Sequence, residues 1–356
     1  MKNINRISKN DKISKNNKLS KYPKRRPLWK SALAYTTFTL VFTAVAAPFT
    51  LLYGPFETAK KIYVGSAMKT MSHQWLATMF LSQDRIDKLL KSDDKQGDTT
   101  SDSTAQDSSL IKISQKRDAS IEEKEIQDEN NKFKGYALIV SDPTRVKIGV
   151  STTLGTSGET VSQIAENYGA EAAINGGYFT DEKGAEKWTS NGGIASGFLM
   201  SEGKVKNNSA PNTKGPILSI TKEGKLLISD TTPTALLSKK KDDKNTITEA
   251  MSYVTTLVKN GKPVTIAKDE GSAPKTMIGQ RTDGSMVLVV LDSSLPGGRI
   301  CATLEEARKV MLDLNCYTAV NLDGGKSTTM YYKGEVINNP SYALGERPIS
   351  SGFVVK

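Results

Sequence analysis

Apolar and polar positions divide the chain into an uninterrupted apolar run, a polar stretch and a long region of short apolar runs. No charged residue occurs at positions 31–56, where the sequence is SALAYTTFTLVFTAVAAPFTLLYGPF. An apolar run of this length crosses about 30 Å of hydrocarbon as a helix. Two prolines lie near its far end, where a membrane helix tolerates a kink or a stop. We therefore predict a transmembrane anchor at residues 31–56.

The charge of the chain is concentrated ahead of that run. Residues 1–30 contain eleven Lys and Arg and one acidic residue, whereas the whole chain has a net charge of +11. Basic residues before the run and Glu57 after it predict a cytoplasmic N-terminus, a single pass through the cell membrane and an extracytoplasmic remainder. Because the basic excess is confined to this tail, it indicates a membrane surface and argues against a nucleic-acid partner.

A cleaved signal peptide is the alternative for the apolar run. Ala44-Val45-Ala46 has the small-residue pattern of a cleavage site. The run is nevertheless longer than a signal-peptide core, and the basic leader is long. These two features favour a retained anchor.

Two further segments precede the folded domain. Residues 57–90 carry apolar positions with helical character and few helix breakers, which predicts a juxtamembrane helical stalk and, through it, a homo-oligomer. Residues 91–132 contain no aromatic residue and are dominated by Ser, Asp, Thr, Gln, Lys and Glu. Such a composition does not bury enough apolar surface to offset chain entropy, so we predict a flexible linker. The domain then occupies residues 133–356.

Within residues 133–356, short apolar runs alternate with turn residues. Asn260-Gly261, Asp283-Gly284 and Lys333-Gly334 each lie between two such runs and predict hairpins. Helical periodicity occurs at residues 161–168 and 304–314. The pattern predicts a single α+β (mixed α/β) domain, rich in strands and with few helices.

Two predicted strands end in glycine pairs that follow an amide or a carboxylate. The first gives Asn175-Gly176-Gly177 and the second gives Asp323-Gly324-Gly325, with Asn321 just ahead of it. Ligand sites favour loops at strand ends, and paired glycines allow backbone N–H groups to approach an anion closely. Tight turns without a ligand are the structural alternative for both pairs.

The residue types of the domain exclude several chemistries. Gly325-Lys326-Ser327 superficially suggests a P-loop, but the required glycine five positions before the Gly-Lys step is replaced by Val320, and a strand follows. The only histidine, His73, lies outside the domain, which excludes Ser-His-Asp and Cys-His catalysts there. Two cysteines, Cys301 and Cys316, flank a predicted helix too long for a disulfide to span, so they are expected to be packed thiols. Carboxylates remain the main acid/base candidates.

Taken together, these motifs resemble the phosphodiester glycosidase family. The resemblance extends over about residues 133–356. Its strongest pieces are, in chain order, Ala173-Ile174-Asn175-Gly176-Gly177-Tyr178-Phe179, Asn321-Leu322-Asp323-Gly324-Gly325 with Ser327, and Glu346-Arg347-Pro348. The known animal member of this family removes N-acetylglucosamine from a phosphodiester-linked mannose, and bacterial members often occur among polysaccharide genes. The resemblance implies a hydrolase that acts on a glycosyl phosphodiester, here a phosphodiester-linked glycan of the cell envelope or of an extracellular polysaccharide (exopolysaccharide).

The resemblance also implies roles for individual residues. It assigns phosphate binding to Arg347 with Lys326 or Lys275 and to the backbone amides of the two glycine pairs, and it places Ser327 in the same site. Asn175 and Asn321 would hold sugar hydroxyls or the phosphate. Catalytic candidates are Asp323 and Glu346 as the acid/base pair, followed by Asp292. A turn-capping role for Asp323 and a structural ion pair for Glu346 are the alternatives.

Some positions depart from the family pattern. Lys275 replaces the usual Arg, Ser293 replaces the Gly that usually follows the Asp at position 292, and Lys326 replaces a Gly. These departures concern the substrate more than the fold. No cofactor is firmly implied. A divalent cation held by Asp292, Asp323 and Glu346 stays open, although their spacing matches no metal motif.

Two other functions also fit the sequence. One is a non-catalytic, extracytoplasmic glycan-binding module, and the other is a transferase that attaches polymers to the envelope. The acid/base pair distinguishes them: a binding module tolerates Asp323→Asn and Glu346→Gln, whereas an enzyme loses turnover.

Overall fold

Strands predominate among the residues that a computed structural model of the protein describes. The described residues are 28–56, 60, 63–64, 75–82, 84–86, 105–114, 118–180, 191–238, 244–266, 271–294, 301–342 and 344–356. The strands, numbered in chain order, are β1 Ile121–Gln127, β2 Phe133–Val140, β3 Val146–Val150, β4 Ala172–Asn175, β5 Phe179–Thr180, β6 Ile194–Ala195, β7 Phe198–Ser201, β8 Lys204–Asn208, β9 Gly215–Thr221, β10 Leu226–Thr231, β11 Ile247–Ser252, β12 Thr255–Lys259, β13 Lys262–Pro263, β14 Lys275–Gln280, β15 Met286–Ser293, β16 Thr318–Asn321, β17 Met330–Tyr332, β18 Glu335–Val336 and β19 Ser351–Val355. The α-helices are α1 Leu28–Tyr53, α2 Trp75–Thr78, α3 Val161–Tyr168, α4 Pro233–Ser238 and α5 Leu304–Asp313.

The strands form three main antiparallel sheets and one small ribbon. The first sheet has seven strands in the order β1-β2-β15-β14-β16-β12-β13. The second has the order β18-β17-β4-β19-β3, the third has the order β10-β9-β11-β7-β8, and β5 pairs with β6. This strand-rich α+β architecture confirms the predicted fold class.

The main apolar core lies between the three sheets. It includes Leu288 and Val320 of the first sheet, Ile174 and Phe353 of the second and Leu218 of the third, all fully or nearly fully buried. A second cluster fills the space between the first sheet and α5, and a third packs α3 against the second sheet. Since the glycine-pair loops follow β4 and β16, they leave neighbouring sheets at the boundary of one shared core.

Both longer helices of the domain begin at capping boxes. Thr160 accepts a hydrogen bond from the Gln163 amide at the start of α3, and the Gln163 side chain bonds back to the Thr160 amide. Thr303 and Glu306 make the same reciprocal bonds at the start of α5. Such caps satisfy N–H groups that have no intrahelical partner. The chain therefore leaves each preceding loop in a defined direction.

The hairpin of β14 and β15 defines two ends of the first sheet. Lys275 pairs with Leu291 at one end and Gln280 with Met286 at the other, so the connecting turn lies at the second end. Met277 pairs with Asn321 on β16. The segment after β16 consequently leaves the sheet at the same end as Lys275. We call this the site end and the opposite one the distal end.

The predicted linker boundary at residue 132 is too late. β1 lies within the predicted linker and pairs along its whole length with β2, from Ile121 opposite Val140 to Gln127 opposite Lys134. Most of its side chains are exposed, because β1 is an edge strand whose outer surface faces solvent. Because these exposed side chains are polar, the composition of β1 is like that of a linker. The backbone hydrogen bonds that hold β1 do not depend on composition.

Residues 105–114, also assigned to the linker, bind the distal end of the domain. The Gln106 side chain donates to the Leu226 carbonyl (2.9 Å) and accepts from the Ile228 amide (2.6 Å), as an added β-strand residue would. The Asn260 side chain accepts from the Asp107 amide (2.8 Å). The backbone amide of Lys112 donates to the Thr282 carbonyl (2.9 Å) in the β14–β15 turn. Positions 91–104 and 115–117 of the predicted linker lie outside the described residues.

The predicted anchor is a helix. α1 is long and apolar enough to cross a membrane, with a mean hydropathy of 1.5. The most apolar part of the helix is not buried by the rest of the protein. A signal sequence has the same properties. Of the predicted basic tail, residues 1–27 lie outside the described part of the chain.

Only parts of the predicted stalk are described. Ala77, Leu81 and Ile86 pack around Leu52 of α1, and the Tyr53 hydroxyl donates to the Phe80 carbonyl (2.6 Å). These residues therefore fold back onto the end of α1. His73 lies outside the described residues.

Two local features of the domain depend on burial and on backbone conformation. Cys301 and Cys316 are free and buried, as predicted. Burial raises the pKa of Cys301 to about 11, which makes it a packed and unreactive thiol. Residues 194–200 are divided into β6 and β7, because Gly197 between them has a φ of 69° and breaks the extended backbone.

Candidate functional site

The two glycine-pair loops contact each other at the site end. The Asn175 side-chain amide donates to the Asp323 carbonyl (2.7 Å), and the Asp323 amide donates to the Gly176 carbonyl (3.2 Å). The loops are 148 residues apart in sequence. Two segments that are distant in the chain therefore meet at this end of the sheet.

Asn175 is the residue that organises this meeting. Its side chain is buried, and its amide oxygen accepts from the Thr276 hydroxyl (2.7 Å) and from the Thr329 amide (3.2 Å). With the bond to Asp323, the side chain joins the second sheet to the first. Its oxygen is thus occupied by protein donors, and its contact with a substrate stays a prediction.

The four glycine amides are not equivalent. Gly176 donates to the Ser351 carbonyl (2.9 Å) and Gly325 donates to the Pro274 carbonyl (2.9 Å). Within the part of the chain that the structure describes, the amides of Gly177 and Gly324 donate to no protein acceptor. Of the four predicted anion donors, these two are therefore the available ones.

Close packing explains why glycine stands at two of these positions. A Cβ on Gly324 would lie 2.6 Å from the Pro274 carbonyl oxygen, which is far inside van der Waals contact. Gly325 has a φ of 62°, a left-handed conformation that glycine adopts without steric cost. A short 3₁₀ helix, Gly325–Ser327, follows and places the partly exposed Lys326 beside the loop.

Arg347 supplies a cation at the meeting point. Its guanidinium lies 4.6 Å from the centre of the Phe179 ring, and Nη1 donates to the Ser327 hydroxyl (3.3 Å). Phe179 follows the first glycine pair and Ser327 follows the second. Three segments that are distant in the chain therefore converge here, and Arg347 lies between the two loops.

Glu346 occupies a structural position. Its two carboxylate oxygens accept from the backbone amide (3.0 Å) and the hydroxyl (2.5 Å) of Ser162, in the first turn of α3. A carboxylate at a helix N-terminus is stabilised by the exposed N–H groups and the helix dipole. The structural alternative is thus favoured, although its partner is a helix and not the predicted cation. Glu346 fixes the segment that carries Arg347.

Asp292 is a buried carboxyl near the end of β15. It is 3% exposed and accepts from the Asn339 amide (2.8 Å) and the Asn338 side chain (3.1 Å). Burial raises the pKa of Asp292 to about 6, and these two hydrogen bonds and Lys134 only partly offset it. A carboxyl with such a pKa exchanges a proton near neutral pH.

Asn338 connects Asp292 to the glycine-pair loops, and the sequence analysis missed it. Its side chain donates to Asp292 and to the Thr328 carbonyl (3.2 Å), and it accepts from the Met330 amide (2.7 Å). Thr328 in turn bonds Thr276 (3.3 Å), the partner of Asn175. The only sequence signal was an Asn-Asn-Pro turn after the last hairpin.

Lys275 and Asn321 are more buried than a substrate-binding role predicts. Lys275 is 3% exposed, and its Nζ lies 3.4 Å from the Gly271 carbonyl. Asn321 is 2% exposed and donates to the Leu322 carbonyl (2.8 Å), while its buried oxygen has no hydrogen-bond partner among the described residues. An acceptor of this kind is costly unless a bound group satisfies it.

The three candidate carboxylates do not form a metal site. Among the described residues, no group of three or more His, Cys, Asp or Glu side chains is arranged to hold a metal ion. Asp292, Asp323 and Glu346 are all among these residues, and they do not form such a group.

Fold and site together define a class: a strand-rich α+β domain in which two glycine-pair loops and an arginine meet at one corner. Residues 168–356 match the family model described as phosphodiester glycosidase, and the chain belongs to this family. Membership supports a hydrolase that acts on phosphodiester glycosides. A search of curated proteins finds no match.

Solved structures with a similar fold include an enzyme of known activity. The zebrafish N-acetylglucosamine-1-phosphodiester alpha-N-acetylglucosaminidase catalytic domain, auto-inhibited by its pro-peptide, aligns with a TM-score of 0.54 and 22% identity, over 69% of this chain and 86% of that one. An exported protein from Burkholderia pseudomallei aligns with a TM-score of 0.47 and 15% identity, over 63% and 74% of the two chains. A hypothetical protein from Synechocystis aligns with a TM-score of 0.46 and 13% identity, over 66% and 62%. At this identity, the zebrafish match shows a common fold.

Proposed function

We propose that this protein hydrolyses a glycosyl phosphodiester, a sugar-1-phosphate diester of cell-envelope or extracellular polysaccharide. The observation that carries the proposal is the convergence of Arg347, the two available glycine amides and Asp323 at one corner of the domain. A phosphodiester sugar requires an anion cradle, a polar grip on its hydroxyls and a carboxylate near the scissile bond. Family membership supports the same reaction class.

Phosphate binding is assigned to Arg347 and the amides of Gly177 and Gly324. A guanidinium presents several N–H donors in a fixed plane, which suits phosphate oxygens. Stacking on Phe179 holds that plane beside the two loops. Lys326 adds a positive charge on the adjacent turn.

Proton transfer is assigned to Asp323, with Asp292 as the second carboxyl. In the proposed reaction, water attacks the anomeric carbon, the bond from that carbon to the phosphate oxygen breaks, and the electron pair remains with the phosphate. Asp323 accepts the proton of the attacking water. With a pKa of about 6, Asp292 is able to donate a proton to the leaving phosphate in weakly acidic solution.

The test uses the full chain, purified in detergent, and the methyl diesters of glucose 1-phosphate and N-acetylglucosamine 1-phosphate. We expect free sugar and methyl phosphate in equal amounts. Arg347→Met should raise KM at least tenfold, because the charge-assisted phosphate bonds are lost. Lys309→Met removes one positive charge from an exposed ion pair on α5 and serves as the matched control. Ligand binding without product from any diester would favour the glycan-binding alternative.

We further propose that α1 is a retained anchor, with a cytoplasmic N-terminus and an extracytoplasmic domain. The basic residues ahead of the helix and the packing of Ala77, Leu81 and Ile86 on Leu52 support it. Both native cysteines are buried, so a membrane-impermeant maleimide distinguishes introduced ones. In intact cells, Lys204→Cys should be labelled and Ser8→Cys should not. Labelling of Ser8→Cys alone would reverse the orientation, and a mature chain that lacks α1 would establish a signal peptide.

A further inference from the structure

Tyr253, between β11 and β12, combines an uncommon backbone conformation with an exposed ring. Its φ is 60°, in the left-handed region that aromatic residues rarely adopt. The residue is 44% exposed, although its neighbours Met251 and Val254 are buried in the main core. The ring therefore does not fill the core, and core packing does not account for the strained backbone.

Gly197 provides the space in which the ring lies. A Cβ added to Gly197 would lie 2.3 Å from Cε2 of Tyr253, so only glycine permits this contact. The backbone next to both residues is fixed, because the Phe198 amide donates to the Ser252 hydroxyl (2.8 Å). The ring is thus held against the backbone of Gly197 and is partly open to solvent.

The surroundings of Tyr253 belong to the two glycine-pair loops. Ser196, next to Gly197, donates to the Tyr178 carbonyl (2.9 Å), directly after the first glycine pair. Met251 lies in van der Waals reach of Gly177, with Sδ 3.4 Å from the position of a Cβ there. On the other side, Thr255 pairs with Asn321, ahead of the second pair. Tyr253 consequently stands on the rim of the proposed site.

We propose that Tyr253 is the platform against which the sugar ring of the substrate packs, a binding contact that rests on the proposed function. Pyranose rings present apolar C–H faces, and ligand sites commonly use aromatic side chains for such faces with polar groups fixing the orientation. Arg347 and the free glycine amides hold the phosphate, and Tyr253 holds the sugar. The contact uses the face of the ring, so the hydroxyl is dispensable.

Binding of two probes to the full chain, measured by isothermal titration calorimetry, tests this assignment. The first probe is the methyl diester of glucose 1-phosphate or N-acetylglucosamine 1-phosphate, and the second is dimethyl phosphate, which has the phosphate but no sugar. Tyr253→Gly removes the ring and suits the left-handed backbone, so the fold is retained. We expect it to weaken binding of the sugar diester about tenfold. Binding of dimethyl phosphate should not change, and Tyr253→Phe should resemble the wild type.

Several results would overturn the inference. Equal affinity of wild type and Tyr253→Gly for the sugar diesters would do so, as would an equal loss for both probes, or no binding of any sugar diester to the wild type. Tyr253→Asn, which also tolerates a positive φ, repeats the test if the glycine variant melts at a lower temperature. Tyr253-dependent binding without hydrolysis would refute the proposed reaction and leave the sugar contact intact.

Discussion

The two glycine-pair loops have nearly the same sequence pattern and divide the work of the site differently. In the loop after β4, Asn175 uses its side chain to hold both loops together. In the loop after β16, Asp323 makes the corresponding contacts through its backbone amide and carbonyl. The first loop is thus joined to the second through a side chain, whereas the second loop is joined to the first through its backbone. A shared motif therefore does not imply a shared role.

The amides of the glycine pairs show the same division. In the first pair the leading glycine is bonded to Ser351 and the second amide is available, whereas in the second pair the leading amide is available and Gly325 is bonded to Pro274. Each loop therefore has one available backbone amide donor. An anion bound by both amides would connect the loops directly.

The largest expected effect is on turnover, and it distinguishes Asp323 from Asn175, the two residues that precede the glycine pairs. Asp323→Asn should lower kcat by about a thousandfold, as loss of a positioned proton acceptor does. Its melting temperature should stay close to that of the wild type, since the backbone bonds to Gly176 and Asn175 are kept. Turnover of the diester substrate and thermal unfolding measure both quantities. A variant with nearly full turnover would return Asp323 to the role of a turn cap.

Asn175→Ala should mainly lower the stability of the folded protein. It leaves the Thr276 hydroxyl, the Thr329 amide and the Asp323 carbonyl without their buried partner, and we expect a loss of about 3 kcal/mol in the free energy of unfolding. Asn167→Ala, which removes one exposed bond to Glu159, is the matched control in urea unfolding. Equal stability of the two variants would contradict the supporting role.

Asp292→Asn extends the comparison to the carboxyl beneath the loops. The pKa of Asp292 is raised in the folded state, so its contribution to stability is present below pH 4 and is lost as the pH rises through about 6. The variant should therefore gain stability relative to the wild type between pH 4 and pH 8, by about 2 kcal/mol. Urea unfolding at the two pH values measures this difference. A constant difference would mean that the buried carboxyl is not the titrating group.

The smallest effect is expected from Glu346→Gln. The glutamine retains one acceptor for Ser162 and loses the charge at the N-terminus of α3, which should cost about 0.5 to 1 kcal/mol. Turnover should stay close to that of the wild type. Abolished turnover at unchanged stability would instead restore Glu346 as an acid or base.

The sequence was informative where structure depends on local pattern. Gly-containing turns such as Asp283-Gly284 identified hairpins, and the glycine pairs identified the loops that meet. It was uninformative where the partner is remote. Nothing near Glu346 indicates that it binds Ser162, 184 residues away, and Asn338 becomes important only because Asp292 lies beside it. β1 escaped prediction because an edge strand can be held by backbone bonds alone.

The attachment of residues 105–114 to Leu226, Asn260 and Thr282 has a consequence for access. The chain enters the domain at the distal end, and the glycine-pair loops lie at the opposite end of the first sheet. With the retained anchor proposed above, the corner formed by the loops would face away from the point of attachment. Long polymers would then approach without passing the tether, and a substrate next to the anchor would be at a geometric disadvantage.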